Sequence, residues 1–176
     1  TIHYNLNIAM QAMTTSRHND FAVQQVMLRI RDPARTIAFY TNVLGMTLIK
    51  RFDFEDMKFS LYFFGYVNPL EVNSLSEKEK TLFLCRQKGC IEFTHNWGTE
   101  KDKSVVYHNG NDEPRGFGHI GITVPDVELA CIEFEKAGAR FVKKPNEGKM
   151  KGIAFIKDPD GYFVEILNGE NLVKIE

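Results

Sequence analysis

The chain has 176 residues, enough for one compact domain or for two small units that share a core. Its charges nearly balance, with a formal net charge of −1, so the sequence offers no basic surface for nucleic acid or for an anionic membrane. No apolar run in it approaches the roughly 18 to 20 residues that span a bilayer.

The cysteines and the opening residues indicate the compartment. Cys85, Cys90 and Cys131 form neither an even set for disulfides nor a CxxC zinc pattern, which favours a reducing, cytoplasmic setting. Residues 1–20 lack the basic start and the apolar block of a signal peptide, and we interpret them as an N-terminal arm. We therefore expect a cytoplasmic protein that binds neither a membrane nor nucleic acid.

One pattern occurs twice without a gap, as QVMLRIRDPARTIAFYTNVLGM at 25–46 and as HIGITVPDVELACIEFEKAGAR at 119–140. Each copy begins with a polar residue, alternates as a strand, reaches an aspartate and continues with apolar residues at helical spacing up to a glycine. Asp32 and Asp126 suit helix N-caps. Each copy therefore predicts a strand followed by a helix.

Further strands follow each predicted helix. We predict them at 57–66, 80–87, 90–98, 140–145, 151–161 and 162–167, and we interpret 68–80 as an insertion. The fold class is then α+β, with two βαβββ modules per chain. We assign the organisation as an N-terminal arm (1–20), a first module (21–98), a polar linker (99–116) and a second module with a C-terminal tail (117–176).

Sorting the strand residues by face places one polar side chain and one carboxylate together in each module. Gln25 and Glu92 lie opposite the apolar side of their strands, and His119 and Glu165 do so in the second copy. A histidine beside an apolar run is most often structural. A glutamate in the middle of an apolar strand is costly unless it is paired or binds a cation, and two at matching places favour a metal site.

These residues lie in longer motifs: QQVMLRI, IEFTHNWGTE, RGFGHIG, KKPNEGKMKG and IKDPDGYFVEIL. Over roughly residues 20 to 168 the chain resembles the glyoxalase I (lactoylglutathione lyase) family, of the eukaryotic zinc-dependent type, in the vicinal-oxygen-chelate superfamily. The resemblance implies that the sheets of the two modules curl into a shared barrel-like cup. It also implies a metal held by the four residues named above.

The resemblance implies a reaction as well. Family members isomerise the hemithioacetal of methylglyoxal and glutathione to S-lactoylglutathione through an enediolate, which detoxifies methylglyoxal. Glu165 is implied as the principal base, with Glu92 as its counterpart on the other substrate face. The donor set would accept Zn2+, with Ni2+ or Co2+ as alternatives, and only the resemblance favours zinc.

The thiol cosubstrate carries two carboxylates, so its site should be cationic. Arg29 shares the strand face of Gln25 and Asn96 that of Glu92, and the family pattern adds Arg115, Lys143 and Lys149 as glutathione-binding residues. Met57, Leu61 and Phe63 share one strand face and, with Phe54 and Met150, resemble the family's apolar substrate pocket. The loop lysines could instead be solvated surface, and the apolar residues could be ordinary core. The family also implies a homodimer with each site at the subunit interface.

Two other functions use the same fold. A metal-dependent oxygenase would normally present two histidines and one carboxylate to iron, whereas Gln25 occupies the position that matches His119. A module that only sequesters a small ligand would not need two glutamates in the middle of its strands. The isomerase is therefore the leading hypothesis.

Overall fold

The computed structural model describes residues 21–174, so the predicted N-terminal arm lies outside the described residues. Its first half contains four strands and three helices. They are β1 (Gln25–Ile30), α1 (Pro33–Ala38, continued as a π-helical turn over Phe39–Val43), β2 (Thr47–Phe54), β3 (Phe59–Gly65), α2 (Pro69–Ser74), α3 (Glu77–Arg86) and β4 (Cys90–Asn96).

The second half contains four strands and two helices, and a short 3-10 turn at Thr99–Lys101 precedes it. Its elements are β5 (His119–Thr123), α4 (Val127–Lys136), β6 (Arg140–Lys143), β7 (Ala154–Lys157), β8 (Phe163–Leu167) and α5 (Gly169–Val173). No helix within residues 21–174 is long and apolar enough to cross a membrane.

Two four-stranded sheets have the same strand order, β1-β4-β3-β2 in the first and β5-β8-β7-β6 in the second. In each sheet the first and last strands of the module pair in parallel, and the other neighbours are antiparallel. The α+β class and the twofold repeat predicted from the sequence are confirmed. Because the strand order is the same, a residue at a given strand position in one module has a counterpart at the same position of the other sheet.

One hydrophobic cluster contains residues of both modules and of the helices that cover the sheets. Tyr40 of α1 packs against Phe93 with ring centroids 4.6 Å apart, and both side chains are fully buried. Cys131 and Phe134 of α4 enter the same cluster. Burial of large side chains such as these contributes about 1.5–3 kcal/mol each, so the core fixes both sheets firmly.

The predicted helix starts are confirmed. The Asp32 side chain accepts hydrogen bonds from the backbone N–H groups of Ala34 and Arg35, and Asp126 accepts one from Leu129. These carboxylates satisfy donors that a helix leaves unpaired in its first turn. Each helix therefore begins directly after the strand that carries the first polar residue of its module.

The predicted strand at 80–87 is wrong, because these residues belong to helix α3 (Glu77–Arg86). Ser76 and Glu79 form a capping box at its start, and Glu, Lys, Leu and Arg favour the helical state that follows. The strand that completes the first module is β2 (Thr47–Phe54), which the sequence reading missed. The segment 68–80, interpreted as an insertion, forms α2 and the first turn of α3.

The predicted strand at 57–66 begins two residues later than expected. Residues 55–58 form a tight turn in which Lys58 has a positive φ of 55°, so Met57 lies in that turn and not on the strand face. Between Lys101 and His119 the chain has neither helix nor strand, and the linker at 99–116 stays a prediction.

Candidate functional site

The first pair of candidate ligands lies on neighbouring parallel strands. The Cα partner of Glu92 in β4 is Met27 of β1, so Gln25, two residues earlier, lies on the same face as Glu92. The Gln25 amide donates a hydrogen bond to Oε2 of Glu92. Glu92 is only 9% exposed. This burial raises the pKa of its carboxyl group, and a hydrogen bond with Thr94 opposes the rise.

The second pair repeats this geometry in the other module. The Cα partner of Glu165 in β8 is Gly121 of β5, and His119 lies two residues before it. Nε2 of His119 is 3.1 Å from Oε2 of Glu165. The Phe155 ring packs edge-on against the imidazole with centroids 5.5 Å apart, which restricts how the imidazole can turn.

The two pairs are equivalent but separate. Glu92 is the Cα partner of the residue two positions after Gln25, and Glu165 is the Cα partner of the residue two positions after His119. The two pairs therefore have the same strand register. Nowhere in residues 21–174 do three or more His, Cys, Asp or Glu side chains come close enough to hold a metal ion. Glu92, His119 and Glu165 are therefore not brought together within one chain.

Most of the proposed glutathione-binding residues are exposed. Arg29 extends from the β1 face that carries Gln25, and Asn96 ends the strand that carries Glu92. Arg115 lies in the linker and pairs with Glu113 at 3.0 Å, and Lys149 lies in the exposed loop before β7. These positions leave four of the five side chains accessible to a ligand.

Lys143 differs from the others. Its Nζ donates to the backbone oxygen of Ile153 at 2.6 Å and to that of Lys144 at 3.3 Å. Burial lowers the pKa of this ammonium group. In this state Lys143 ties the 144–152 loop to the strand that follows the loop, so a ligand would have to displace these bonds.

The apolar residues predicted for the substrate pocket fall into two groups. Leu61 and Phe63 are the cross-strand partners of Thr94 and Glu92, so they share the face that carries the first ligand pair. Phe54 stacks on Phe59 with centroids 4.6 Å apart at the start of the β2–β3 turn. Met57 of that turn is 62% exposed, and Met150 in the second module is 51% exposed.

Helix α3 is part of the site region, and sequence reasoning missed it. Leu84 of α3 is buried in a cluster with Ile49, Phe63 and Cys90, and Phe83 packs against this cluster. The helix therefore supports the strand residues beside Glu92. The signal was visible in the sequence as the Ser76-x-x-Glu79 capping box.

Comparisons with known proteins show the family to which the chain is related. The Glyoxalase/Bleomycin resistance protein/Dioxygenase superfamily matches residues 22–166. The lactoylglutathione lyase of Pseudomonas aeruginosa is 49% identical over 156 residues, covering 86% of this chain and 86% of that protein. The glyoxalase I of Saccharomyces cerevisiae is 42% identical over 159 residues, which cover 90% of this chain but 48% of the yeast protein.

Solved structures give the same result. The trypanothione-dependent glyoxalase I of Leishmania major superposes with a TM-score of 0.61 at 29% identity, covering 86% of this chain and 89% of that one. The glyoxalase I of Zea mays superposes with a TM-score of 0.62 at 28% identity, and the match covers 84% of this chain and 44% of the maize chain.

Proposed function

The chain belongs to the Glyoxalase/Bleomycin resistance protein/Dioxygenase superfamily, and we propose that it is a glyoxalase I, a lactoylglutathione lyase that detoxifies methylglyoxal in the cytoplasm. Its substrate is the hemithioacetal that methylglyoxal and glutathione form spontaneously, and its product is S-lactoylglutathione. The observation that carries the proposal is the pair of strand-central glutamates at equivalent positions of two repeats, each beside a second donor.

The donor set fits a divalent metal ion. Gln25, Glu92, His119 and Glu165 would hold it through one amide, one imidazole and two carboxylates, which suits zinc and also nickel or cobalt. Nε2 of His119 and Oε2 of Glu165 are 3.1 Å apart, so both atoms could bind the same ion. When bound, the ion supplies positive charge that stabilises the negative charge developing on the substrate oxygens.

Glu165 is the base in this proposal. It takes the proton from the carbon that bears sulfur and hydroxyl, and it returns a proton to the neighbouring carbon. The hydroxyl proton passes to the oxygen of that neighbouring carbon, so the substrate gains and loses no atoms. Within residues 21–174 its side chain has His119 as its only polar contact at hydrogen-bond distance, whereas Glu92 is engaged by both Gln25 and Thr94. The freer carboxylate is better suited to move between two carbon atoms.

Glutathione is held by charge. Arg29 and Asn96 of the first module, with Arg115 of the linker and with Lys143 and Lys149 of the second module, would bind its two carboxylates. The apolar residues Leu61 and Phe63, on the face of Glu92, together with Phe54, Met57 and Met150, would receive the methyl end of the substrate. Lys143 would exchange its bond to the Ile153 carbonyl for one to the ligand.

A complete site needs a second copy of the chain. The two ligand pairs are separate within one chain. The first pair lies on a face where Met27 and Arg29 are exposed, and the second lies on a face where Gly121 and Thr123 are exposed. In a symmetric homodimer, Gln25 and Glu92 of one protomer would face His119 and Glu165 of its partner, and two equivalent sites would result. This arrangement supplies all four donors without any rearrangement of the modules.

The test is a direct assay with metal analysis. Purified protein, with its metal content measured, is mixed with methylglyoxal and glutathione, and thioester formation is followed by ultraviolet absorbance. We expect S-lactoylglutathione to form, with about one divalent ion per chain as the four-donor site requires. Metal-loaded, folded protein that forms no thioester would refute the proposed activity. Oxygen consumption with an aromatic diol would instead indicate the oxygenase.

A further inference from the structure

A turn of the second module, residues 158–161, accepts hydrogen bonds from the first module. The Tyr40 hydroxyl donates to Oδ2 of Asp158 at 3.1 Å, and the Arg31 N–H donates to Oδ1 of Asp160 at 3.0 Å. Next to the turn, the Tyr162 hydroxyl donates to the backbone oxygen of Arg29 at 3.0 Å. We refer to residues 158–161 as the junction turn, because it fixes the position of one module relative to the other.

A cavity of about 170 Å³ opens beside the junction turn and is lined from both modules. Arg35 and Phe39 of the first helix form one side. Arg140 and Lys157 of the second module, with the junction-turn residue Asp158, form the other. No residue of this lining belongs to the candidate metal or glutathione sets, although Lys157 and Arg140 continue the row of Cα partners that begins with His119 and Phe163.

The lining carries excess positive charge. Arg140 and Lys157 are Cα partners on β6 and β7, so their side chains project from the same face of the sheet side by side. Like charges directly opposite each other on neighbouring strands repel. In the part of the chain that the structure describes, neither side chain has a carboxylate partner, and the Lys157 ammonium group lies 5.2 Å from the Phe163 ring.

The carboxyl group of the lining, Asp158, makes its hydrogen bonds to neutral donors and not to the cations. Oδ1 of Asp158 accepts from the backbone N–H groups of Asp160 and Tyr162, and Oδ2 accepts from Tyr40. Arg35 adds a third cation and donates to the carbonyl oxygen of Pro159 at 3.5 Å. Three cations therefore converge on a concave surface whose carboxylate is already engaged.

We propose that this junction cavity binds a phosphate-class oxyanion, either inorganic phosphate or the phosphate group of a monoester, held by Arg35, Arg140 and Lys157. Arginine presents a planar set of donors that matches phosphate oxygens two at a time. An anion bound to Arg35 of one module and to Arg140 and Lys157 of the other bridges the two modules. Its binding therefore stabilises their junction.

The experiment is thermal unfolding of the holoenzyme during titration with inorganic phosphate, with pH fixed and ionic strength held constant by chloride. A ligand that binds only the folded state raises Tm, by about 3–6 °C at ten times its Kd for a chain of this size. Phosphate nuclear magnetic resonance line broadening gives a second measure of binding. We expect both effects in the native protein.

The variants locate the site. Arg140→Gln and Lys157→Gln should each reduce the phosphate-induced rise in Tm by at least half. Arg140 is exposed, and its side chain is in no ion pair within residues 21–174, so its loss should leave the fold intact. Lys78→Gln, which removes an exposed lysine elsewhere, and Arg29→Ala, which weakens the proposed glutathione site, should leave the rise unchanged.

Two results would overturn the proposal. One is the absence of a phosphate-dependent rise in the native protein beyond that produced by chloride. The other is a rise of equal size in Arg140→Gln and Lys157→Gln, which would place the anion elsewhere. Either result leaves the proposed isomerase activity unaffected, because that activity is measured separately through thioester formation.

Discussion

Substitution of Asp158 by asparagine should change how the stability of this protein depends on pH. Asp158 is 6% exposed, and burial, with the neighbouring charge of Asp160, raises the pKa of its carboxyl group from 3.8 to about 7. Asparagine keeps an oxygen that can accept from the N–H groups of Asp160 and Tyr162. The substitution therefore removes the titration while preserving most of the contacts of the junction turn.

The direction in which the free energy of unfolding changes with pH follows from proton binding by Asp158. Between about pH 4 and pH 7 the folded protein holds a proton on Asp158 that the unfolded chain has released, so the free energy of unfolding falls as pH rises through this window. Each tenfold change in proton affinity is worth about 1.4 kcal/mol, which gives at most about 4 kcal/mol across the window. Asp158→Asn cannot titrate at this position, so its free energy of unfolding does not fall in this way. Relative to the native protein, the variant should therefore become more stable by up to that amount as the pH rises.

The assay is urea unfolding of both proteins at one protein concentration, at several values between about pH 4.5 and pH 8. Asp112→Asn, at an exposed aspartate of the linker, is the matched control and should follow the native curve. A difference between Asp158→Asn and the native protein that stays constant with pH would refute the reasoning, because it would mean that Asp158 does not bind a proton more tightly in the folded state.

Three further predictions concern the proposed site. Removal of the metal by a chelator should abolish thioester formation and zinc should restore it; full activity of a verified metal-free preparation would contradict the mechanism. Glu165→Gln keeps an oxygen donor but removes the proton acceptor, so it should retain metal while turnover falls by ~10²-fold or more. A near-native rate in that variant would exclude Glu165 as the base. Arg29→Ala and Lys149→Ala should each weaken binding of a glutathione conjugate by ~1–3 kcal/mol in calorimetry. Unchanged affinity in both would show that these cations are solvated surface.

Much of the second module could be predicted from the sequence because its elements are short and strongly patterned. His119–Thr123 alternates buried and exposed positions as expected, and the turn at 158–161 carries strong turn residues. The position of Glu165 followed from the same alternation in β8. The local pattern was sufficient there because each strand has one apolar face against the core.

The first module was harder to predict. The residues of 80–87 are apolar enough to suggest a strand, and only the capping box at Ser76 and Glu79 distinguishes the helix. Strand β2 carries Lys50 and Arg51 among apolar residues, and Lys50 is buried because it pairs with Glu77 of α3. That pairing is a tertiary contact between segments 27 residues apart, and no local pattern reveals it.

The bond of Lys143 to the Ile153 carbonyl was equally invisible in sequence. The sequence of a basic, glycine-containing loop predicts that its lysine is solvated or binds a ligand. Whether the lysine instead donates to a backbone oxygen depends on the conformation of the folded loop. The contact between Phe155 and His119 likewise arises from the sheet, because these residues lie on strands that both pair with β8.

The central claim is that two copies of the chain build each site, and mixing two inactive variants tests it most directly. Glu92→Ala damages the first ligand pair and His119→Ala damages the second, so each homodimer should be nearly inactive. After the two are refolded together, about half of the dimers are mixed, and each mixed dimer has one site with both residues intact. Activity should then return to about one quarter of the native value. No recovery from two folded variants that exchange subunits would contradict the claim, because sites built within one chain cannot be repaired by a partner.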